Sequence, residues 1–138
     1  MSKNKMRKKW HVLSNLFNYI LFSVLIRKIR RENMIDYNVE FTKGVLFIRL
    51  FGSINSFNEI EIKNDIIDII KTGGIRYLVF NLENLEIEEE IDLFNECENI
   101  VKNNDGQMII CGNYNGNFID KFNSVDDELS AYKEFSIC

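Results

Sequence analysis

Residues 45–55 read Val-Leu-Phe-Ile-Arg-Leu-Phe-Gly-Ser-Ile-Asn, and this stretch decides the fold. Its first seven residues are apolar apart from Arg49, a pattern typical of a β-strand that is covered on both faces. The apolar pattern breaks at Gly52, and residues 53–56 predict a short polar loop with Ser56 as the N-cap of a helix. The stretch therefore predicts an internal strand that leads through a loop into a helix.

A second strand precedes this one in the sequence. Tyr37, Val39 and Phe41 alternate with polar residues, as expected for a half-buried strand. Residues 42–44 (Thr-Lys-Gly) are typical of a turn. The sequence therefore predicts an opening β-hairpin, with its second strand inside the sheet.

Helical and strand patterns alternate downstream of the loop. Polar residues recur every three or four positions between Phe57 and Ile70, which predicts an amphipathic helix that ends at Gly73-Gly74. The predicted buried face of this helix contains Ile60, Ile66, Ile67 and Ile70. Residues 75–82 and 108–111 are apolar enough to be buried strands. Between these strands, residues 88–102 predict a second helix, whose predicted buried face contains Ile91, Phe94, Cys97 and Val101.

The last predicted element is a helix. Ser124 with Asp127 three residues later resembles a capping box, which predicts that Ser124 caps this helix. Its predicted inner side contains Val125, Leu129, Tyr132 and Phe135. The predicted order is β-β-α-β-α-β, then a loop that includes residues 112–116, with or without a further short element, and a final helix. This order predicts an α/β sandwich with a mixed β-sheet and amphipathic helices.

Composition excludes several classes of function. The only histidine is His11, outside the predicted domain, which removes histidine-based acid–base catalysis and most zinc sites from the main body. The three cysteines, Cys97, Cys111 and Cys138, are odd in number and lack metal-ligand spacing, so a reducing intracellular compartment is the simplest interpretation. Cys111 is expected in the sheet core and Cys138 at an exposed terminus. We expect no enzyme activity, cofactor or metal site.

Charge divides the chain into two unlike parts. Residues 1–33 contain nine of the 17 basic residues and one acid, whereas residues 34–138 contain eight bases and 20 acids, a net charge of −12. This acidic balance argues against nucleic-acid binding. We therefore predict a basic tail at 1–33 and a domain at 34–138.

Three interpretations of residues 1–33 stay open. Their apolar stretch is too short and too polar to span a membrane, but bases at both ends suit an amphipathic helix on an anionic membrane surface. The segment is equally compatible with a tail that contacts the acidic domain surface. A third interpretation is an upstream extension or a misassigned start, since Met34 begins the domain.

The order of elements and several local motifs resemble the STAS domain, which is shared by bacterial anti-sigma factor antagonists and the tails of sulphate transporters. Residues 50–55 (Leu-Phe-Gly-Ser-Ile-Asn) are similar to the motif before the first helix of that family. Residues 79–87 resemble the family's central strand, with Asn81 in the place of an aspartate. Residues 106–112 and 124–135 resemble the next strand and the C-terminal helix. The resemblance covers about residues 35–136 and implies the STAS fold.

One departure from the family affects regulation. Members controlled by phosphorylation have a serine at the start of the second helix, in a motif that falls on residues 89–92 (Glu-Glu-Ile-Asp). No serine or threonine occurs anywhere between Leu82 and Val101, so the usual phosphoswitch cannot operate here. Five acids cluster there instead: Glu86, Glu88, Glu89, Glu90 and Asp92. They are compatible with a permanent mimic of phosphoserine, with an acidic docking surface, or with a helix start matched to the helix dipole.

The resemblance implies a non-enzymatic protein-interaction module, similar to an anti-sigma factor antagonist that regulates transcription in bacteria. The implied partner is an anti-sigma factor of the serine-kinase type. The expected partner-binding residues are Ser53, Asn55, Ser56, Glu88, Glu89, Glu90, Ile91 and Asp92. The alternative is an accessory subunit of a membrane transporter complex, bound to a transporter ATPase. We expect a cytoplasmic location, with residues 1–33 as the candidate for contact with the inner face of the membrane.

Overall fold

The structure is a computed structural model that describes residues 34–112 and 119–135. The helix predicted within residues 1–33, most of the loop predicted at 112–116 and the expected exposure of Cys138 lie outside the described residues. Everything below concerns the described part of the domain.

The domain opens with the predicted hairpin. Strand β1 (Ile35–Thr42) pairs antiparallel with β2 (Val45–Ile54), and Thr42 lies opposite Val45. The two residues between them, Lys43 and Gly44, have φ angles of 51° and 86°. Positive φ at both central positions is the geometry of a type I′ turn, whose twist matches that of the paired strands. The hairpin prediction is therefore confirmed.

Three further strands run parallel to β2 and complete a mixed sheet. They are β3 (Tyr77–Ile87), β4 (Gln107–Cys111) and β5 (Ser124–Val125), and the spatial order is β1-β2-β3-β4-β5. β2 is internal, as predicted. Helix α1 (Glu59–Gly73) connects β2 to β3, helix α2 (Leu93–Asn103) connects β3 to β4, and helix α3 (Glu128–Phe135) follows β5. The predicted α/β sandwich is confirmed.

The helices cover the two faces of the sheet unequally. Side chains of α1 and α2, among them Ile66 and Phe94, pack with Leu46, Ile48 and Leu50 of β2 in the larger core. On the other face, helix α3 packs against the strand residues whose side chains point away from the larger core. This smaller core contains Val45, Phe47, Val79, Ile109, Cys111, Ala131 and Phe135. Both faces of β2 are therefore buried, which explains its continuous apolar run and agrees with the prediction from the sequence.

Helix α1 begins later than predicted. Ser56 is not its cap: the helix starts at Glu59, and reciprocal hydrogen bonds between Asn55 and Asn58 hold the turn before it. Ile60 is 66% exposed rather than buried, because Ile62, Ile66 and Ile70 form the inner face. The C-terminal end of α1 agrees with the prediction, since Gly74 takes the left-handed conformation of a helix C-cap.

The other two helices are also shorter than predicted. β3 continues to Ile87, so α2 begins at Leu93 and not at Glu88. Ser124 lies in β5 and caps no helix. Instead, the carboxylate of Asp127 accepts a hydrogen bond from the Ser130 N–H at 2.8 Å, at the start of α3. Leu129 of α3 is 63% exposed, contrary to the prediction that it faces inward.

Candidate partner-binding surface

The carboxyl ends of β2 and β3 bring two loops together. Ser53 pairs with Glu86, and Ile54 pairs with Ile87, across the parallel strands. The pairing continues one step further, because the Glu88 N–H donates to the Ile54 carbonyl at 3.0 Å. Loops at the carboxyl ends of parallel strands commonly form the binding sites of α/β proteins. We call residues 53–60 and 86–92 the acidic-loop surface.

Carboxylates of the second loop bind donors of the first loop. The Ser53 hydroxyl donates to Glu86 Oε1 at 3.0 Å, and the Asn55 amide donates to Glu88 Oε1 at 3.3 Å. The Ser56 N–H donates to Glu89 Oε2 at 2.6 Å. These donors carry no charge, so the contacts fix the loops without neutralising the carboxylates.

Two asparagines hold the turn that leads into α1. Asn55 Oδ1 accepts hydrogen bonds from the backbone N–H groups of Phe57 and Asn58, both at 2.9 Å. In return, Asn58 Oδ1 accepts from the Asn55 N–H at 2.9 Å. This reciprocal arrangement has the geometry of a capping box, with Asn in both positions. The buried Asn58 also donates to the Ser53 carbonyl at 2.8 Å, so the turn is fixed to the end of β2.

The surface carries a strong negative charge. The Ser56 hydroxyl and N–H lower the pKa of the Glu89 carboxyl below its ordinary value, which keeps this group ionised. Among the described residues, Lys121 lies 3.5 Å from Glu90 and makes the one ion pair within 4 Å of a carboxylate in residues 86–92. Lys121 and Glu90 are both exposed, and an exposed ion pair contributes little to stability and compensates little of the charge. Lys63 of α1 is paired with Glu96 and also attracts the charge of Asp92. Most of the charge is therefore available to a partner.

The eight expected partner-binding residues come together, but they differ in exposure. Ser53 and Ile91 are buried, so they support the loops rather than offering side chains to a partner. Asn55 is half-buried. The exposed members are Ser56, Glu88, Glu89, Glu90 and Asp92. The acids lie in the loop before α2 rather than in its first turn, and Asp92, at the N-cap position, makes no side-chain capping bond.

The sequence did not predict the exposure of two apolar residues of this surface, although the loop expected to dock, residues 52–57, includes the first of them. Phe57 is 87% exposed and Ile60 is 66% exposed, and both lie in or beside the turn that precedes α1. Helical periodicity placed Ile60 on the buried face. The available signal was an aromatic residue directly after Ser56, within a stretch that has no other apolar residue between Ile54 and Ile60.

A different group of polar residues lies on the sheet face that carries α3. Arg49 forms two hydrogen bonds with the Glu128 carboxylate, at 2.8 Å and 2.9 Å, and one with Glu40 at 2.8 Å. The Asn81 amide donates to Glu128 Oε2 at 2.7 Å. The bond to Arg49 is the main cause that lowers the pKa of Glu128. We call Arg49, Glu40, Asn81 and Glu128 the Arg49–Glu128 network; it fixes the start of α3 to the sheet.

Asn81 has a second structural role. The pairing of β2 with β3 shifts by one residue between Arg49 and Phe51, which is a β-bulge on β3. Asn81 Oδ1 accepts the Glu83 N–H at 2.9 Å within this bulge. The residue that stands in place of the family's aspartate therefore organises the strand end that carries Glu86.

Acidic, cysteine and histidine side chains are the groups that most often hold a metal ion or act as nucleophiles. No three acidic, cysteine or histidine side chains in residues 34–112 and 119–135 are placed to hold a metal ion. Burial raises the thiol pKa of both Cys97 and Cys111 to about 12, which keeps them protonated and poorly nucleophilic. The described part of the chain also has no helix of the length and apolarity that a membrane span requires.

Comparisons with known proteins agree with the fold. The family model for the STAS domain matches residues 36–123. SpoIIAA, an anti-sigma factor antagonist, in its unphosphorylated form is 18% identical, with a TM-score of 0.57 over 72% of this chain and 96% of that one. The phosphorylated form of SpoIIAA, a Bacillus cell fate determinant, gives 18% identity and a TM-score of 0.56 over 72% and 98%.

An anti-sigma factor antagonist from Mycobacterium paratuberculosis is also similar. It is 14% identical, with a TM-score of 0.62 over 75% of this chain and 95% of that one. These structural likenesses show the fold. No protein of curated function matches the chain in sequence.

Proposed function

The chain belongs to the STAS domain family, and we propose that it is a non-enzymatic module that docks onto a regulatory protein through the acidic-loop surface. The observation that carries the proposal is the set of contacts between the two loops. Ser53, Asn55 and Ser56 each bind a carboxylate of the other loop, which creates one preformed surface with exposed negative charge. A surface that is ordered before binding loses less entropy when a partner docks.

The proposed partner is an anti-sigma factor of the serine-kinase type, and docking would release a sigma factor for transcription. The likeness to anti-sigma factor antagonists supports this choice. The proposal implies a cytoplasmic, bacterial setting. Because no serine or threonine lies between Leu82 and Val101, control would come from abundance, from another site or from location rather than from the usual phosphoswitch.

The proposal is tested in two steps. The tagged full chain is first recovered from the cells that produce it, and co-purifying proteins are identified by mass spectrometry. The recovered partner is then purified and titrated against the wild type and the double variant Glu89→Lys/Glu90→Lys. We expect at least about tenfold weaker binding and a smaller dependence of affinity on salt, because both substitutions reverse a surface charge.

Glu134→Lys is the matched control. It reverses one charge, half of the change in the double variant, at an exposed position of α3, which is not part of the acidic-loop surface. Glu134→Lys should leave the affinity unchanged. Equal affinity of the wild type and the double variant would remove the docking surface from the proposal.

The alternative role, an accessory subunit of a membrane transporter complex, is favoured by the basic residues of segment 1–33. Vesicle flotation of the full chain and of a form that starts at Met34 separates the two roles. If only the full chain floats with anionic vesicles, the accessory role gains support. If neither form floats, the alternative loses the observation on which it depends.

A further inference from the structure

The most exposed apolar side chain in the described part of the chain borders the acidic carboxylates. Phe57 is 87% exposed and Ile60 is 66% exposed, whereas the exposed Phe41 and Leu129 lie on the hairpin and on α3. Single exposed apolar residues are ordinary on protein surfaces. Phe57, however, lies in the turn that the Glu59 N–H closes on the Asn55 carbonyl at 3.0 Å, and Ile60 follows three residues later at the start of α1. This i to i+4 hydrogen bond continues the helical geometry back through Phe57, so the two residues have the spacing of neighbours on one side of a helix.

The backbone that carries Phe57 is held in place. The Phe57 N–H donates to Asn55 Oδ1 at 2.9 Å, and the preceding N–H, of Ser56, donates to Glu89 Oε2 at 2.6 Å. Only the side chain of Phe57 therefore needs to be ordered when a partner binds. An aromatic side chain has few rotatable bonds, so it is an efficient anchor at an interface.

The charges around this apolar pair restrict what can cover it. Residues 86–92 contain five acids and no base, and Ser56 connects Phe57 directly to Glu89. On α1, Glu61 adds an exposed carboxylate, whereas the charge of the half-buried Lys63 is paired with Glu96 of α2. An anionic lipid surface, a nucleic acid or a second copy of the same acidic surface would each bring like charges together, which opposes binding.

We propose that Phe57 and Ile60 are the anchors of the docking surface, and that they insert into an apolar pocket of a protein partner whose rim carries lysine or arginine. The inference rests on the proposed function and specifies the chemistry of the partner. The apolar pair provides burial, and the surrounding carboxylates provide charge complementarity to the basic rim. Anchor residues of this kind dominate binding when they enter a pocket closed to water.

The first test is photo-crosslinking in the cells that produce the protein. Phe57 of the full chain is replaced by p-benzoylphenylalanine, and Leu129 is replaced in a matched control. We expect the Phe57 position alone to crosslink one protein, through an apolar peptide with at least two lysines or arginines close by in sequence or structure. Adding Glu88→Lys and Glu89→Lys should abolish that crosslink. Crosslinks to lipid, to nucleic acid, to a second copy or to an acidic peptide, equal crosslinking from Leu129, or no crosslink at all would overturn the proposal.

The second test measures affinity for the purified partner. Phe57→Ser/Ile60→Ser should bind at least about tenfold more weakly than the wild type, as expected when anchors are removed. Leu129→Ser is the control on α3, where Leu129 is 63% exposed, close to the value for Ile60. Unchanged urea midpoints establish that all variants are folded. If Glu89→Lys/Glu90→Lys weakens binding while Phe57→Ser/Ile60→Ser does not, the anchors are wrong but the proposed function stands. If neither double variant weakens binding, both proposals fail.

Discussion

The acidic-loop surface and the Arg49–Glu128 network use the same chemical groups in opposite ways. Both place carboxylates beside strand β2. In the network, the Glu128 carboxylate receives two hydrogen bonds from the Arg49 guanidinium, so its charge is compensated within the domain. In the acidic-loop surface, Glu86, Glu88 and Glu89 receive hydrogen bonds from a hydroxyl, an amide and a backbone N–H, none of which carries charge.

This difference separates stability from binding. The compensated charges of Arg49 and Glu128 connect α3 to the sheet and produce little electrostatic field outside the domain. Uncompensated charges hold the loops in place and still attract a partner. Substitutions in the network should therefore change stability and not affinity, and charge substitutions at the acidic loops should do the reverse.

The largest expected effect would remove the support beneath the acidic-loop surface. Gly52 has a φ angle of +105°, and a Cβ added there would lie 2.2 Å from the Met34 carbonyl oxygen. The same oxygen accepts the Ser53 N–H at 3.0 Å. We expect Gly52→Ala to lower the free energy of unfolding by about 2–4 kcal/mol, because backbone strain and a collision add together. Urea denaturation measures this loss.

Gly74→Ala is the control for Gly52→Ala. Gly74 also has a positive φ, +59°, but no atom lies within 4 Å of an added Cβ. This variant should lose only about 1 kcal/mol, the ordinary cost of the left-handed conformation. Equal losses for the two variants would show that the contact with Met34 yields easily and does not support the loops.

The next effect tests the network itself. Arg49→Met removes the cation and leaves Glu128 and Glu40 close to each other with no compensating charge. We expect a loss of about 1–2 kcal/mol in the free energy of unfolding, because all these groups are partly exposed and water replaces some of the lost bonds. Affinity for the partner should not change.

Arg76→Met provides the comparison for Arg49→Met. The exposed Arg76 side chain donates a hydrogen bond of 3.3 Å to the Asp105 carbonyl and lies over the Tyr77 ring. Its substitution should change stability by less than about 0.5 kcal/mol, as is usual for surface sites. A loss of partner affinity in Arg49→Met, with the domain still folded, would contradict the division between the two regions.

The sequence predicted the parts of the fold that long apolar runs determine. β2 and β4 were located correctly because short apolar runs between turn residues, such as Val45–Phe51, favour a strand that is buried in a sheet. Helix starts were wrong where polar residues leave local alternatives. Residues 83–87 extend β3 beyond its predicted end because they pair with β2. This pairing joins segments that are distant in sequence, so a local sequence pattern cannot predict it.

The candidate site was predicted in composition but not in detail. The acids and serines were identified, yet the exposure of Phe57 and Ile60 was not. Helix α1 has isoleucine at positions 60, 62, 66, 67, 69 and 70, so several helical phases give a plausible buried face. The phase that occurs is selected by packing against the sheet and α2, in which Ile62, Ile66 and Ile70 are buried.

A smaller effect depends on pH. Arg49 lowers the pKa of Glu128 in the folded protein, so the stabilisation is present above the ordinary pKa of 4.5 and is lost as the pH falls through the lowered value. At pH 7, Glu128→Gln should be less stable than the wild type by roughly 0.5–1 kcal/mol, a value reduced by solvent exposure. Glu134→Gln, on the same helix, is the matched control, and a difference that persists as the pH falls below the lowered pKa of Glu128 would show that Arg49 does not act through the charge of Glu128.

The smallest expected effect on stability comes from a Glu→Gln substitution in the acidic-loop surface, at Glu89. Glu89→Gln keeps an oxygen for the Ser56 N–H but removes the charge that the Ser56 hydroxyl and N–H favour by lowering the carboxyl pKa. The group is fully exposed, so we expect no measurable change in the urea midpoint. Stopped-flow association with the partner should instead be slower and less sensitive to salt, because an attractive surface charge is lost. Glu128→Gln is its mirror image, with altered stability and unchanged association. If both variants alter the same property, carboxylates with charged partners and those with neutral partners do not have separate roles in this domain.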